Sequence, residues 1–227
     1  MDLDTFNQEV INCRKCERLV AWREQMALEK RRAYHDQEYW GRPVPGFGDP
    51  QARIFIVGLA PGAHGSNRTG RQFTGDASGA FFYPALYRAG LANQPESTAR
   101  GDGLTLTDVY TAPVCRCAPP VNKPIQEEMN NCQPFLEAEL ALLQPRVIVV
   151  LGRIAFESVL RIYSARNHDW KFGHGEVFRL PGAAEDKPQG PWLLCSYHPS
   201  QQNTQTGRLT TSMFDWIWQT AKELTER

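Results

Sequence analysis

The chain has 227 residues with an apolar fraction of 41%, enough for one sizeable core, so a single domain over 1–227 is the default. Its 25 basic and 25 acidic residues balance, which excludes a protein-wide basic field and leaves any nucleic-acid contact to local patches. The acidic start MDLDTFNQEV has no signal-like region, and no run approaches the roughly 18 apolar residues of a membrane span; the expectation is a cytoplasmic protein, beside the nucleoid in a prokaryote.

From Phe6 to about Trp40 apolar residues recur at helical intervals, which predicts helices interrupted by the CRKC segment. This amino-terminal helical segment, about 1–45, carries Cys13 and Cys16, and the Pro/Gly connection GRPVPGFGDPQ follows it. Arg53 to Val57 reads as a buried strand, GAFFYPALYRAGLA as a helix and LTLTDVYTAPV as a second strand. KPIQEEMNNCQPFLEAELALLQ is a helix opened by Pro124 in its first turn, and it leads to the strand RVIVVLG. RIAFESVLRIY is a further helix, EVFRL and WLLCSYH are strands, and LTTSMFDWIWQTAKELTE is a closing amphipathic helix. GAAEDKPQG, Gly182 to Gly190, reads as a surface loop. Strands alternating with helices give an α/β fold, a mostly parallel central sheet covered on both faces.

Ligands of such sheets bind beyond the carboxyl ends of the strands, and two long polar loops follow strands here: GLAPGAHGSNRTGRQFTGDASG and HPSQQNTQTG. The first holds one carboxylate, Asp76, with His64, Ser66, Asn67, Arg68, Arg71 and Phe73 among glycines. Amides and Arg suit phosphate oxygens, and Phe73 offers a stacking face. It is neither a Walker loop nor a G-x-G-x-x-G turn. The second adds His198 beside Pro199 and a polar run without an acid. Each residue also has a plainer role: Asp76 as the N-cap of the next helix, His198 as a hydrogen-bonded bystander, Phe73 as core, Asn122 as a turn residue.

Cys13 and Cys16 form a C-x2-C pair, and Cys117 and Cys132 would complete four ligands if the amino-terminal segment packs beside them. Four thiolates suit tetrahedral zinc or an iron–sulfur cluster; Cys115 is an alternative to Cys117, and Cys195 reads as a buried thiol.

GLAPGAHGSNRTGRQFTGD, CAPPVNKP, HPSQQNTQTGRLT and the four cysteines together resemble the family 5, or type b, uracil-DNA glycosylases, over a span from Cys13 to about Thr210. The resemblance implies a three-layer α/β/α sandwich and a [4Fe-4S] cluster on Cys13, Cys16, Cys117 and Cys132. It also implies excision of uracil and other deaminated bases from double-stranded DNA in base excision repair. The catalytic residues it implies are Asp76 and His198. Gly58, Ala60, Gly62, Phe73 and Asn122 would form the base pocket, and Arg68, Arg71, Ser200, Gln201, Arg208 and Leu209 would contact DNA, Leu209 as a wedge. Where other members of the superfamily place Asp, Glu or Asn beside the first glycines, this chain has Leu59 and Ala60, which leaves Asp76 as the only carboxylate of the first motif. VYTAPV has Ala112 where relatives of other families carry an Asn that reads the edge of uracil, which implies a broad base range that includes hypoxanthine. Neither loop contains a Lys able to form a Schiff base, so a monofunctional enzyme, acting as a monomer, is expected. The competing reading is a non-catalytic iron–sulfur protein that binds damaged or single-stranded DNA.

Overall fold

The computed structural model describes residues 2–184 and 187–227. Its centre is a six-stranded sheet built from β1 (Phe47–Gly48), β2 (Ile54–Gly58), β3 (Val109–Pro113), β4 (Val147–Leu151), β5 (Val177–Ala184) and β6 (Lys187–Ser196), in the order β1-β3-β2-β4-β6-β5. The four inner strands are parallel, and β1 and β5 are antiparallel at the edges.

β2, β3 and β4 are buried at every position, as apolar runs between two helical layers must be. Alternate residues point to opposite sides. Ile54, Ile56, Val147 and Val149 pack with α4 (Gly79–Arg88) and α8 (Thr211–Thr225), while Phe55, Val57, Ile148 and Val150 pack with α5 (Gln126–Leu143) and α6 (Arg153–Ile162). The result is the expected three-layer α/β/α arrangement. The amino-terminal helices α1 (Leu3–Ile11) and α2 (Glu17–Glu29) lie on the α5 side, where Phe6 meets Phe135 edge to face and Arg18 pairs with Glu128 at 2.7 Å.

Two boundaries differ from the sequence reading. The helix expected from Lys123 starts at Gln126, because Ile125 is its N-cap and the Glu128 carboxylate accepts the Ile125 N–H at 2.9 Å; Pro124 therefore precedes the helix. The stretch Gly182 to Gly190, expected as a loop, belongs largely to the β5–β6 hairpin, with Pro181 opposite Gln189 and Ala184 opposite Lys187. Glu185 and Asp186 lie outside the described residues. Among the described residues no helix is long and apolar enough to cross a membrane.

Candidate active site

The loops after β2, β3, β4 and β6 all leave the same carboxyl edge of the sheet, and sheet order reverses between β3 and β4, so this edge is the place where such folds form a crevice. The loop after β2 contains the short helix α3 (Ser66–Thr69) and returns to α4.

Asp76 is half-buried within that loop. Its Oδ1 accepts the Gly79 N–H at 2.9 Å, so it does cap α4. Its carboxylate also packs on the loop's inner turn: a Cβ on Gly65 would overlap it, and one on Gly62 would lie 3.5 Å from Oδ2, so the backbone can approach the carboxylate only because Gly65 has no side chain. Burial raises the Asp76 pKa above the ordinary carboxylate range, against the opposing pull of the Gly79 and Ser78 amides and Arg68.

Phe73 has a φ of 51°, a left-handed conformation that costs a residue without special need about 1–3 kcal/mol. The conformation turns its ring over the end of β2. One face stacks on Phe82 with centroids 4.4 Å apart, a Cβ on Gly58 would lie 3.1 Å from its tip, and the His198 ring centre is 6.0 Å away. Phe73 is thus part of the core, as the plainer reading of it expected, at the carboxyl edge of the sheet. Burial pushes the His198 pKa down to about 4, so its imidazole is neutral at physiological pH and can donate without carrying charge. Ala60 is half-buried on the same edge.

Sequence reasoning passed over the groups that hold these residues. The His174 Nδ1 accepts the Tyr197 N–H at 3.2 Å and so fixes the chain immediately before His198; Asn203 donates to the His198 carbonyl at 2.8 Å. The Tyr39 hydroxyl meets His64 Nδ1 at 3.1 Å, which joins the amino-terminal segment to the first loop. The His174 and Tyr39 contacts cross long sequence separations, and neither of these two residues lies in one of the motifs.

Three of the residues expected to contact DNA are placed elsewhere. Leu209 is 0% exposed and packs in the core, because Thr210 caps α8 and the chain turns inward before it; it cannot be a wedge. Arg68 is buried over the Tyr34 ring at 4.0 Å and donates to the His64 carbonyl, Gln37 and the Gly75 carbonyl. Arg71 is buried in a 2.6 Å pair with Asp102, which also accepts from the amides of Thr98 and Leu104. Both arginines stiffen the loop and leave no free charge at its surface. Replacing Arg71 by Met strands the Asp102 carboxylate and is expected to cost about 3–5 kcal/mol in urea unfolding. Gln201 and Arg208 are exposed and Ser200 is half-buried; the Arg208 guanidinium lies over the Tyr197 ring at 4.6 Å. Asn122 is exposed in a turn with φ 56°, and no hydrogen bond ties its side chain to Asp76 or His198.

Away from the crevice, Cys13, Cys16, Cys117 and Cys132 line one small pocket, and Cys115 is not among its lining residues. Among the described residues no three His, Cys, Asp or Glu side chains gather tightly enough for a single metal ion. A cluster spreads its ligands wider, since its irons lie between the thiolates. The charge around the pocket fits such a group. Arg23 is 2% exposed, donates to the Cys117 Sγ at 2.9 Å and has a buried Nε without a partner, while its nearest carboxylate, Glu24, is 3.9 Å away. A buried cation otherwise bonded only to the neutral Cys13 carbonyl, at 3.3 Å, is costly unless negative charge lies beside it, and four thiolates around a cluster would supply that charge. Asn131 donates to the Cys16 Sγ at 3.4 Å.

The family model described as the Uracil DNA glycosylase superfamily matches residues 45–222. The chain is 54% identical over 225 residues to the type-5 uracil-DNA glycosylase of Thermus thermophilus, covering 99% of each. It is 53% identical to the type-5 enzyme of Mycobacterium leprae, over 96% of this chain and 94% of the relative. With the type-5 enzyme of Pyrobaculum aerophilum the identity is 45%, over 91% and 86%. A family model that spans most of the chain and similarity over nearly its full length lead to one conclusion: the chain belongs to the uracil-DNA glycosylase superfamily and, within it, to the type-5 uracil-DNA glycosylases.

Proposed function

We propose that this uracil-DNA glycosylase removes uracil and other deaminated bases, hypoxanthine among them, from double-stranded DNA in base excision repair, leaving an intact abasic site. The observation that carries the reading is a carboxylate with a raised pKa in the loop after β2, at the carboxyl edge of the sheet, together with a neutral histidine whose ring centre lies 6.0 Å from Phe73, an aromatic residue of that same loop held in a strained conformation.

A base inside a duplex is out of reach, so the nucleotide is turned out into the crevice, where Phe73 offers the ring face not covered by Phe82. Breaking the glycosidic bond leaves positive charge on the sugar and negative charge on the departing base. Ionised Asp76 stabilises the sugar cation or orients the attacking water; His198, neutral, donates to the base oxygen that gains charge. Asn122 contacts the base edge. Ser200, Gln201 and Arg208 hold phosphates beside the lesion. Ala112, near the carboxyl end of β3, offers no amide to read the edge of uracil, which favours a broad range of bases. Neither loop supplies a Lys for Schiff-base chemistry, so the sugar–phosphate chain is left unbroken.

Cys13, Cys16, Cys117 and Cys132 would hold a [4Fe-4S] cluster. Its contribution is structural charge and cross-linking between the α2 segment and α5; no step of the reaction passes through it.

The test of the base range is excision from duplexes that carry one uracil or one hypoxanthine. Alkali-labile sites are expected from both. Sites from uracil alone would restrict the pocket to pyrimidines and overturn the broad range.

A further inference from the structure

Burial of Leu209 leaves base extrusion without the side chain expected to fill the gap, and another residue on the same edge of the sheet has the properties required. Val121 is 78% exposed in the loop that follows β3, with φ 48° and ψ 29°. A left-handed backbone is a genuine outlier for a β-branched residue. Asn122, next in the chain, is also left-handed, with φ 56°.

The loop is held at both ends. At its start the Val114 N–H donates to the Gly58 carbonyl and the Cys115 N–H to the Leu59 carbonyl, each at 2.9 Å, which ties it to the first catalytic loop. At its end the Lys123 carbonyl accepts from Arg18 at 3.3 Å, and Arg18 is itself paired with Glu128 at 2.7 Å. Pro119 and Pro120 stiffen the approach. The strain at Val121 is therefore imposed by its surroundings, yet its side chain gains almost no burial within the molecule in return. An exposed apolar side chain, fixed outward at energetic cost beside a DNA-facing crevice, gains its burial when DNA is bound. Of the other exposed large apolar side chains among the described residues, Leu28, Tyr87, Leu142, Ile154 and Trp216 sit on regular helices, and Ile125, in an ordinary extended conformation, caps α5.

We infer that Val121 enters the base stack beside the extruded nucleotide and blocks its return. Small apolar wedges of this kind act by partly unstacking a base step. The exposed Lys123, two residues on, is placed to meet a phosphate of the same strand pair. This inference rests on the excision reading above, and the test separates the two.

Val121→Gly and Val121→Asn both suit a left-handed backbone, so each is expected to melt at or above the wild-type temperature. Single-turnover excision is compared on uracil paired in a duplex and on the same uracil inside an unpaired bubble, where no stack has to be opened. Loss of the wedge is expected to slow excision from the paired duplex about tenfold and to leave the bubble substrate within about twofold of wild type. Equal losses on both substrates, or no loss on either, would overturn the inference. Wild-type protein silent on both would overturn the excision reading itself, and this inference with it.

Discussion

Asp76→Asn is expected to slow base release by about 100- to 10,000-fold while the protein stays as stable as wild type or becomes more so. Two observations combine here. The Asp76 Oδ1 caps the Gly79 amide at 2.9 Å, and Asn is as good a cap, so the start of α4 survives. Burial raises the folded-state pKa of the carboxyl above its unfolded value, so the native state binds the proton more tightly, and ionising the group near neutral pH lowers stability. That cost is absent below the unfolded pKa and appears as pH rises through the folded one. Asn never incurs it. Kinetics and thermal melting of one variant then separate the two roles: a residue that only caps would leave the rate unchanged. The pH profile follows the same logic. kcat/KM should fall on the acid side at a pKa above the ordinary carboxylate range, because His198 becomes charged only near about 4.

The other large effect concerns the cysteine pocket. Cys132→Ser is expected to abolish bound iron and acid-labile sulfide and to destabilise the protein by about 3–5 kcal/mol, the cost of leaving the buried Arg23 cation without its counter-charge. Adding Arg23→Met to the Ser variant should recover part of that loss, since the stranded charge disappears. Cys115→Ser should keep the iron, because Cys115 is not among the residues that line the pocket. Iron retained in Cys132→Ser but lost in Cys115→Ser would reverse the assignment of ligands.

The parts of the fold that were legible in the sequence are those fixed by local pattern. Ile54–Gly58 and Val147–Leu151 are continuous apolar runs of strand length, and the loops that follow them carry the glycines and polar residues of a site. What was not legible depended on tertiary partners. Arg68 and Arg71 look in sequence like free charges in a DNA-facing loop, but Tyr34, Gln37 and Asp102, all distant along the chain, take them inward. Leu209 follows a polar loop and reads as exposed until the start of α8 turns it into the core. Val121 is not legible in the sequence because a single Val in a Pro-rich turn has no periodic signature; only its backbone angles and exposure mark it. His174 owes its place under Tyr197 to the geometry of the segment leading into β5, which the flanking glycines conceal.

The most direct measurement is chromatographic detection of the free base, together with the length of the DNA strand, after incubation with a duplex that contains one uracil. The account predicts stoichiometric release of uracil and a full-length strand that breaks only when treated with alkali. Tight binding with no free uracil would contradict it, and would make the crevice a recognition surface in which Asp76 serves as a helix cap.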